Sequence, residues 1–159
     1  MRIIAVLVHA VTLSLFAAHP PLVSPVRQSS PQDQLWDAAI RGDTVALGVA
    51  LKAGASIDSL DTRSNPNGRR ALNWAAWFNR PDAIRFLVAH GATLNHVNRT
   101  GNTALHHAAE NGSLQAARAL LALGADRTWI NFSGLRAVEV ARQHGHDAVA
   151  ALIDSLPAR

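Results

Sequence analysis

Gly101-Asn102-Thr103-Ala104-Leu105-His106-His107-Ala108-Ala109 is the stretch whose reading decides the fold. Gly and Asn open it as a tight turn; a leucine and a paired alanine follow as the face of a short helix. Working outward, Gly112, Ala117, Leu120-Leu121 and Gly124-Ala125 complete a unit. Thirty-three residues earlier the series stands as Leu72, Ala75-Ala76, Asn79, Ile84, Leu87-Val88 and Gly91-Ala92. Further back it reads Leu35, Ala38-Ala39, Gly42, Leu47, Ala50-Leu51 and Gly54-Ala55, after a longer step of 37 residues. A fourth, weaker copy begins at Val138 and keeps Ala141, Gly145, Ala150 and Ile153. Self-similarity at a fixed period of this size signals stacked structural units, because one unit cannot bury its apolar face alone.

Each copy predicts two short helices. The paired alanines leave room for a neighbouring helix to approach closely. Gly42, Gly112 and Gly145 end the first helix in the left-handed region, and Asn79 takes that place in the second copy. Asp43 and Ser113 read as caps of the second helix, and Arg80-Pro81-Asp82 as its start in the second copy. Between copies recur Asn65…Gly68, Asn98…Gly101 and Asn131…Gly134, an Asn-x-x-Gly turn. Upstream, Ser30-Pro31-Gln32-Asp33 is the expected start of the first helix, with Ser30 as cap.

The nine residues quoted first resemble the ankyrin repeat, whose core reads G-x-T-P-L-H-x-A-A. The resemblance extends over about residues 33–155 and departs from the family at Ala71, Ala104 and Ala137, where its proline is expected. It implies an all-α ankyrin-repeat solenoid of about four helix-turn-helix repeats with projecting turn fingers. It also implies a structural role for His106, at the family's own histidine position. Arg142 and Asp154 stand in the last copy where others carry Ala and an aliphatic residue, which suits a terminal unit facing water.

The first thirty residues have another character. Met1-Arg2 precedes an uncharged apolar run over residues 3–18, and four of the seven prolines fall between residues 20 and 31. That is the pattern of a secretory signal over residues 1–18, cleaved after Ala17 or Ala18 or retained as an anchor. A Pro-rich linker over residues 19–30 and a repeat domain over 31–156 complete the expected organisation. Alanine richness and Arg in place of Lys associate the chain with bacteria and, with the signal, with the periplasm or secretion.

Composition excludes several chemistries. Without cysteine there is no disulfide, thiolate metal site or thiol nucleophile. A net charge of +4 is modest for 159 residues, and the high pI reflects arginine over lysine more than a polyanion-binding surface, so no nucleic-acid partner is expected. The two glutamates, Glu110 and Glu139, lie on different repeats, and no nucleophile elbow or phosphate-binding Gly-rich loop occurs. No enzyme, cofactor or metal site is expected; a site built from His96 and His107 lacks ligand spacing.

The candidate contact residues are therefore those that vary between copies. Trp74 and Trp77 occupy slots that carry His107 and Glu110 in the next copy, with Phe78 beside them. The resemblance places such slots on a concave face and places Trp129 and Phe132 on a projecting finger. Large aromatics among polar residues are typical interface anchors. The competing expectation is that the tryptophans fold back over the insertion between Ser59 and Ser64. Arg69 and Arg99, on successive fingers, are read as orienting charges for a partner protein or as a solvated rim. Membrane contact is expected only if residues 3–18 are retained, which leaves a tethered accessory protein as the alternative to a free binding module.

Overall fold

Eight helices occur among the residues described by the structure, a computed structural model covering residues 29–64 and 66–155. The expected signal over residues 1–18, most of the linker over 19–30, Asn65 and residue 156 lie outside the described residues. The helices are α1 (Pro31–Arg41), α2 (Thr44–Lys52), α3 (Ala71–Trp77), α4 (Pro81–Ala89), α5 (Ala104–Glu110), α6 (Leu114–Ala122), α7 (Ala137–Gln143) and α8 (Asp147–Asp154). Each odd-numbered helix packs on the even-numbered helix that follows it, giving four pairs. The first helices stack in the order α1-α3-α5-α7, and the second helices in the order α2-α4-α6-α8. This is the all-α repeat stack expected from the periodicity.

Local chemistry sets the boundaries. Ser30 accepts from the Asp33 amide at 3.1 Å, and Asp33 accepts from the Ser30 amide at 3.1 Å, so a reciprocal box starts α1 ahead of Pro31. Asn79 adopts φ 54°, as its place among the glycines predicts, and its side chain also accepts from the Ala116 amide at 2.9 Å. Asp43 caps α2 through the Ala46 amide at 2.9 Å. Ser113 differs from expectation. It stands at the cap position of α6, but its hydroxyl donates to the Trp77 carbonyl at 2.8 Å and so ties two repeats together.

Ala38, Ala39, Ala75, Ala76, Ala108 and Ala109 are fully buried, which explains how the first helices approach so closely. Leu47, Ile84, Leu87, Leu120 and Ile153 are buried from the second layer, each worth about 1.5–3 kcal/mol relative to exposure. His106 acts as a cross-repeat strut. A carbonyl can only accept, so Nε2–H donates to Leu135 O at 3.1 Å, leaving Nδ1 to accept from the Thr103 hydroxyl at 2.9 Å. In the fourth pair Arg142 meets Asp154 on an exposed face.

Candidate functional site

Two groups of aromatic side chains stand apart in the stack, and their surroundings differ. The first grows from the finger between α2 and α3. Asp61 and Arg69 exchange backbone hydrogen bonds at 2.8 and 3.0 Å, which closes the base of that finger and turns the Asp61 carboxylate inward. Asp61 accepts from the Arg63 amide at 3.0 Å, Arg63 Nε at 2.9 Å and the Trp74 indole N–H at 3.0 Å. Burial alone would raise the Asp61 pKa, but the hydrogen bonds and charge of Arg63, with the Trp74 N–H, hold it below the usual carboxylate range. Arg63 in turn reaches Asp33 at 3.1 Å and Asp37 at 3.0 Å, and lies 4.9 Å from the Trp36 ring centre. These carboxylates, Asp61 foremost, hold its guanidinium above its ordinary pKa.

The chain of contacts continues along the first-helix layer. The Arg69 guanidinium sits 4.7 Å from the Trp74 ring and 4.2 Å from the Trp77 ring, between two π faces. Phe78 stacks on Trp74 at 5.9 Å, and Trp77 meets His107 edge-on at 6.1 Å. Both ring nitrogens of His107 are buried and lack a well-formed hydrogen bond; Glu110 Oε2 lies 3.4 Å from Nδ1. Burial pulls the His107 pKa down, so the ring is neutral. The His107 ring, with Arg69 nearby, holds the Glu110 carboxyl below its usual range.

Trp74 and His107 therefore do not line an open face. Trp74 is only 7% exposed and His107 is buried. The physical reason lies at the base of the first finger: Asp61 and Arg69, standing where later fingers carry Asn98 with Asn102 and Asn131 with Leu135, take up the Trp74 N–H and the tryptophan faces. Within the segment 59–64, Trp74 meets Asp61, while Trp77 packs on Arg69 and His107. Trp77 and Glu110 remain half-buried, and Phe78 stays partly exposed at the edge of the cluster.

The finger arginines are also engaged. Arg69 is half-buried in its aromatic sandwich, and burial lowers its pKa. Arg99 donates from Nη1 to Pro66 O at 2.7 Å and from its amide to Asn67 O at 3.1 Å, joining the first two fingers. It is a strut rather than a free rim charge. Among the described residues no group of three His, Cys, Asp or Glu side chains is placed to hold a metal ion.

The second group lies on the last finger, between α6 and α7. Its backbone is held firmly. Phe132 N–H donates to Thr100 O at 3.1 Å, Trp129 Nε1 to Gly101 O at 3.2 Å, and Asn131 Nδ2 to Asn102 Oδ1 at 2.8 Å. Asn131 Oδ1 also accepts from the Ser133 and Leu135 amides, each at 3.0 Å. Gly101 makes the contact with the preceding finger feasible: at φ 78°, a Cβ there would stand 2.7 Å from the Phe132 ring and 2.8 Å from its backbone nitrogen. From this fixed frame Ile130 and Phe132 project with 58% and 75% of their surface exposed, beside a partly exposed Trp129. Trp129 and Phe132 occupy the expected finger. Ile130 escaped the sequence reading, although its place between Trp129 and Asn131 in a turn offered a signal.

The four helix pairs and their fingers define an all-α repeat stack. Comparison with known proteins agrees: residues 78–121 match the family described as "Ankyrin repeats (many copies)". A 64-residue segment is 36% identical to part of the "Ankyrin repeat domain-containing protein SAT10" of Stachybotrys chartarum (strain CBS 109288 / IBT 7711). That segment is 40% of this chain and 3% of the fungal protein.

Proposed function

We propose that this chain is a non-enzymatic protein-binding module whose contact surface centres on Trp129, Ile130 and Phe132. The observation that carries this reading is the exposure of large apolar side chains on a finger whose backbone is tied to the preceding finger and to the Asn131 side chain. A rigid frame presents them without the entropic cost of ordering a loop on binding. Ankyrin repeats generally mediate protein–protein contacts, which supports the same class of function. Relative to the sequence expectation, the anchor moves from Trp74 and Trp77 to the last finger. Arg69 and Arg99 become supports of the frame.

The signal-like residues 1–18 support action in an exported compartment, the periplasm or beyond. If that segment is retained, the same module becomes a membrane-tethered accessory protein. No helix among the described residues is long and apolar enough to cross a membrane. The mass of the protein recovered from expressing cells separates the two: loss of about eighteen residues excludes the tether. For the contact surface, Ile130→Asp is compared with wild type in affinity capture from a periplasmic extract. A partner retained by wild type and lost by the variant, with an unchanged melting curve, is the expected result. Equal capture by both overturns the assignment.

A further inference from the structure

The three fingers among the described residues are joined by one contact made twice. The Arg99 amide donates to Asn67 O at 3.1 Å, and in the next copy the Phe132 amide donates to Thr100 O at 3.1 Å. Beside these bonds a side chain of each later finger donates to a glycine carbonyl of the one before. Asn98 Nδ2 reaches Gly68 O at 3.2 Å, and Trp129 Nε1 reaches Gly101 O at 3.2 Å. Each later finger therefore reaches back with donors, and each earlier one offers carbonyls forward. In register, Ser133 and Gly134 hold on the last finger the places of Asn67 and Gly68, and of Thr100 and Gly101. Among the described residues no group donates to Ser133 O or Gly134 O.

The apolar side of the same contact is open as well. Phe132 lies across Gly101, where a Cβ would stand 2.7 Å from the ring; at Gly134, also at positive φ, nothing lies within 4 Å. Gly68 and Gly101 are buried, whereas Gly134 is exposed beside the projecting Phe132 and Ile130. This edge can only accept. Asn131 Oδ1 takes the amides of Ser133 and Leu135, and Asn131 O takes that of Gly134. Asn98 does the same for Thr100, Asn102 and Gly101. Two last fingers would therefore meet acceptor to acceptor. A second copy cannot repeat the contact with its first finger either, because Pro66 stands in register with Arg99 and Phe132 and has no N–H. Proline closes one end of the row, and the other end is open.

We propose that the last finger takes an extended segment of a partner protein along this outer edge, continuing the row as each finger continues the one before. The segment donates a backbone N–H to Ser133 O and lays a large apolar side chain on Gly134, against Phe132. What the edge lacks sets the partner's chemistry: a residue other than proline that supplies both groups, as Phe132 itself does on the preceding finger. This rests on the reading of Trp129, Ile130 and Phe132 as the contact surface, and adds the bond and the seat that orient the partner.

The probe is a synthetic peptide carrying residues 125–136, cyclised to hold its turn, since that finger makes the same contact on Thr100 and Gly101. Titrated into nitrogen-labelled full-length protein, it is expected to shift the Ser133, Gly134 and Leu135 amide signals saturably. N-methylation of the peptide residue that corresponds to Phe132 removes the donor and is expected to weaken binding about three- to tenfold. In the protein, Gly134→Asn covers the seat with a residue that tolerates positive φ, as Asn79 does. Binding at least about tenfold weaker is expected, while the melting curve stays near that of wild type. No saturable shift overturns the proposal, and so does binding that survives either alteration unchanged. Self-association of the unaltered protein that Gly134→Asn abolishes also overturns it, because a second copy would then hold the edge. Loss of partner capture in Ile130→Asp with full capture by Gly134→Asn tells the two readings apart: the contact surface stands and the edge contact falls.

Discussion

The two aromatic groups look alike in the sequence, each a tryptophan followed within four residues by a phenylalanine, yet they do opposite work. In the cluster around Trp74 every polar handle and ring face is taken by the protein itself: Asp61 holds the indole N–H, Arg69 fills the space between rings, and Phe78 stacks outside. On the last finger the hydrogen bonds belong to the backbone and to Trp129, and Ile130 and Phe132 are left to the solvent. Residue type does not separate an anchor from a strut. What separates them is whether charged side chains at the base of a finger reach the rings. Asp61 and Arg69 of the first finger close on the tryptophans; no described finger follows the last to close on Phe132.

Substitutions can break this contrast, and the largest effect belongs to Trp74→Ala. Removing a buried indole with its hydrogen bond is expected to cost about 3–5 kcal/mol, read from urea unfolding. A loss under about 1 kcal/mol would mean that the cluster is surface. Gly101→Ala comes next. It combines strain at positive φ with a clash against the Phe132 ring and backbone, and about 2–4 kcal/mol is expected. The same change at Gly54, where nothing lies within 4 Å, carries only the strain and serves as control. Asp61→Asn keeps the shape but removes the charge opposite Arg63, and about 1–3 kcal/mol is expected. If Asp61→Asn is neutral, the charge facing Arg63 adds nothing to the cluster.

Acid sharpens the comparison. The folded-state pKa of His107 is lowered by burial, so its contribution to stability is complete above the unfolded value near 6.5 and is lost as pH falls below it. Arg69 opposes protonation of His107, Glu110 favours it, and buried His106 titrates in the same direction. The denaturation midpoint is expected to drop between about pH 7 and pH 5, with a shallower drop in His107→Leu. Asp61 and Glu110, whose pKa values are also lowered, act only at lower pH, below about 4.5. Identical slopes in wild type and His107→Leu would assign the sensitivity to His106. Smallest of all is Ile130→Asp, expected to stay within about 0.5 kcal/mol of wild type while abolishing partner capture.

Much of the fold was legible because its signals are local or periodic. Leu35, Leu72, Leu105 and Val138 recur in register because each fills the same slot; Gly42, Asn79, Gly112 and Gly145 recur because each must turn left-handed. The box at Ser30 and the strut at His106 also follow from short-range chemistry or from the family's pattern. The burial of Trp74 did not follow, because it depends on which side chains stand at the base of the first finger. Asp61 and Arg69 take the slots of Asn98 with Asn102 and of Asn131 with Leu135, so the positions recur but the groups that reach the indole do not. The exposure of Val49 escaped for a related reason: its slot is half-buried or buried at Phe86, Ala119 and Leu152, which pack on the preceding described helix, and open in α2.

The division between the two groups can be read in the unaltered protein, with variants used only to assign its signals. Tryptophan indole N–H signals are resolved in a nitrogen-labelled sample, assigned with single Trp→Phe variants, and followed during exchange into heavy water. Trp74 Nε1–H, buried against Asp61, is expected to exchange at least about tenfold more slowly than Trp129 Nε1–H on the partly exposed finger. Exchange of Trp74 as fast as that of Trp129 would contradict the account, returning Trp74 to the surface as a contact residue.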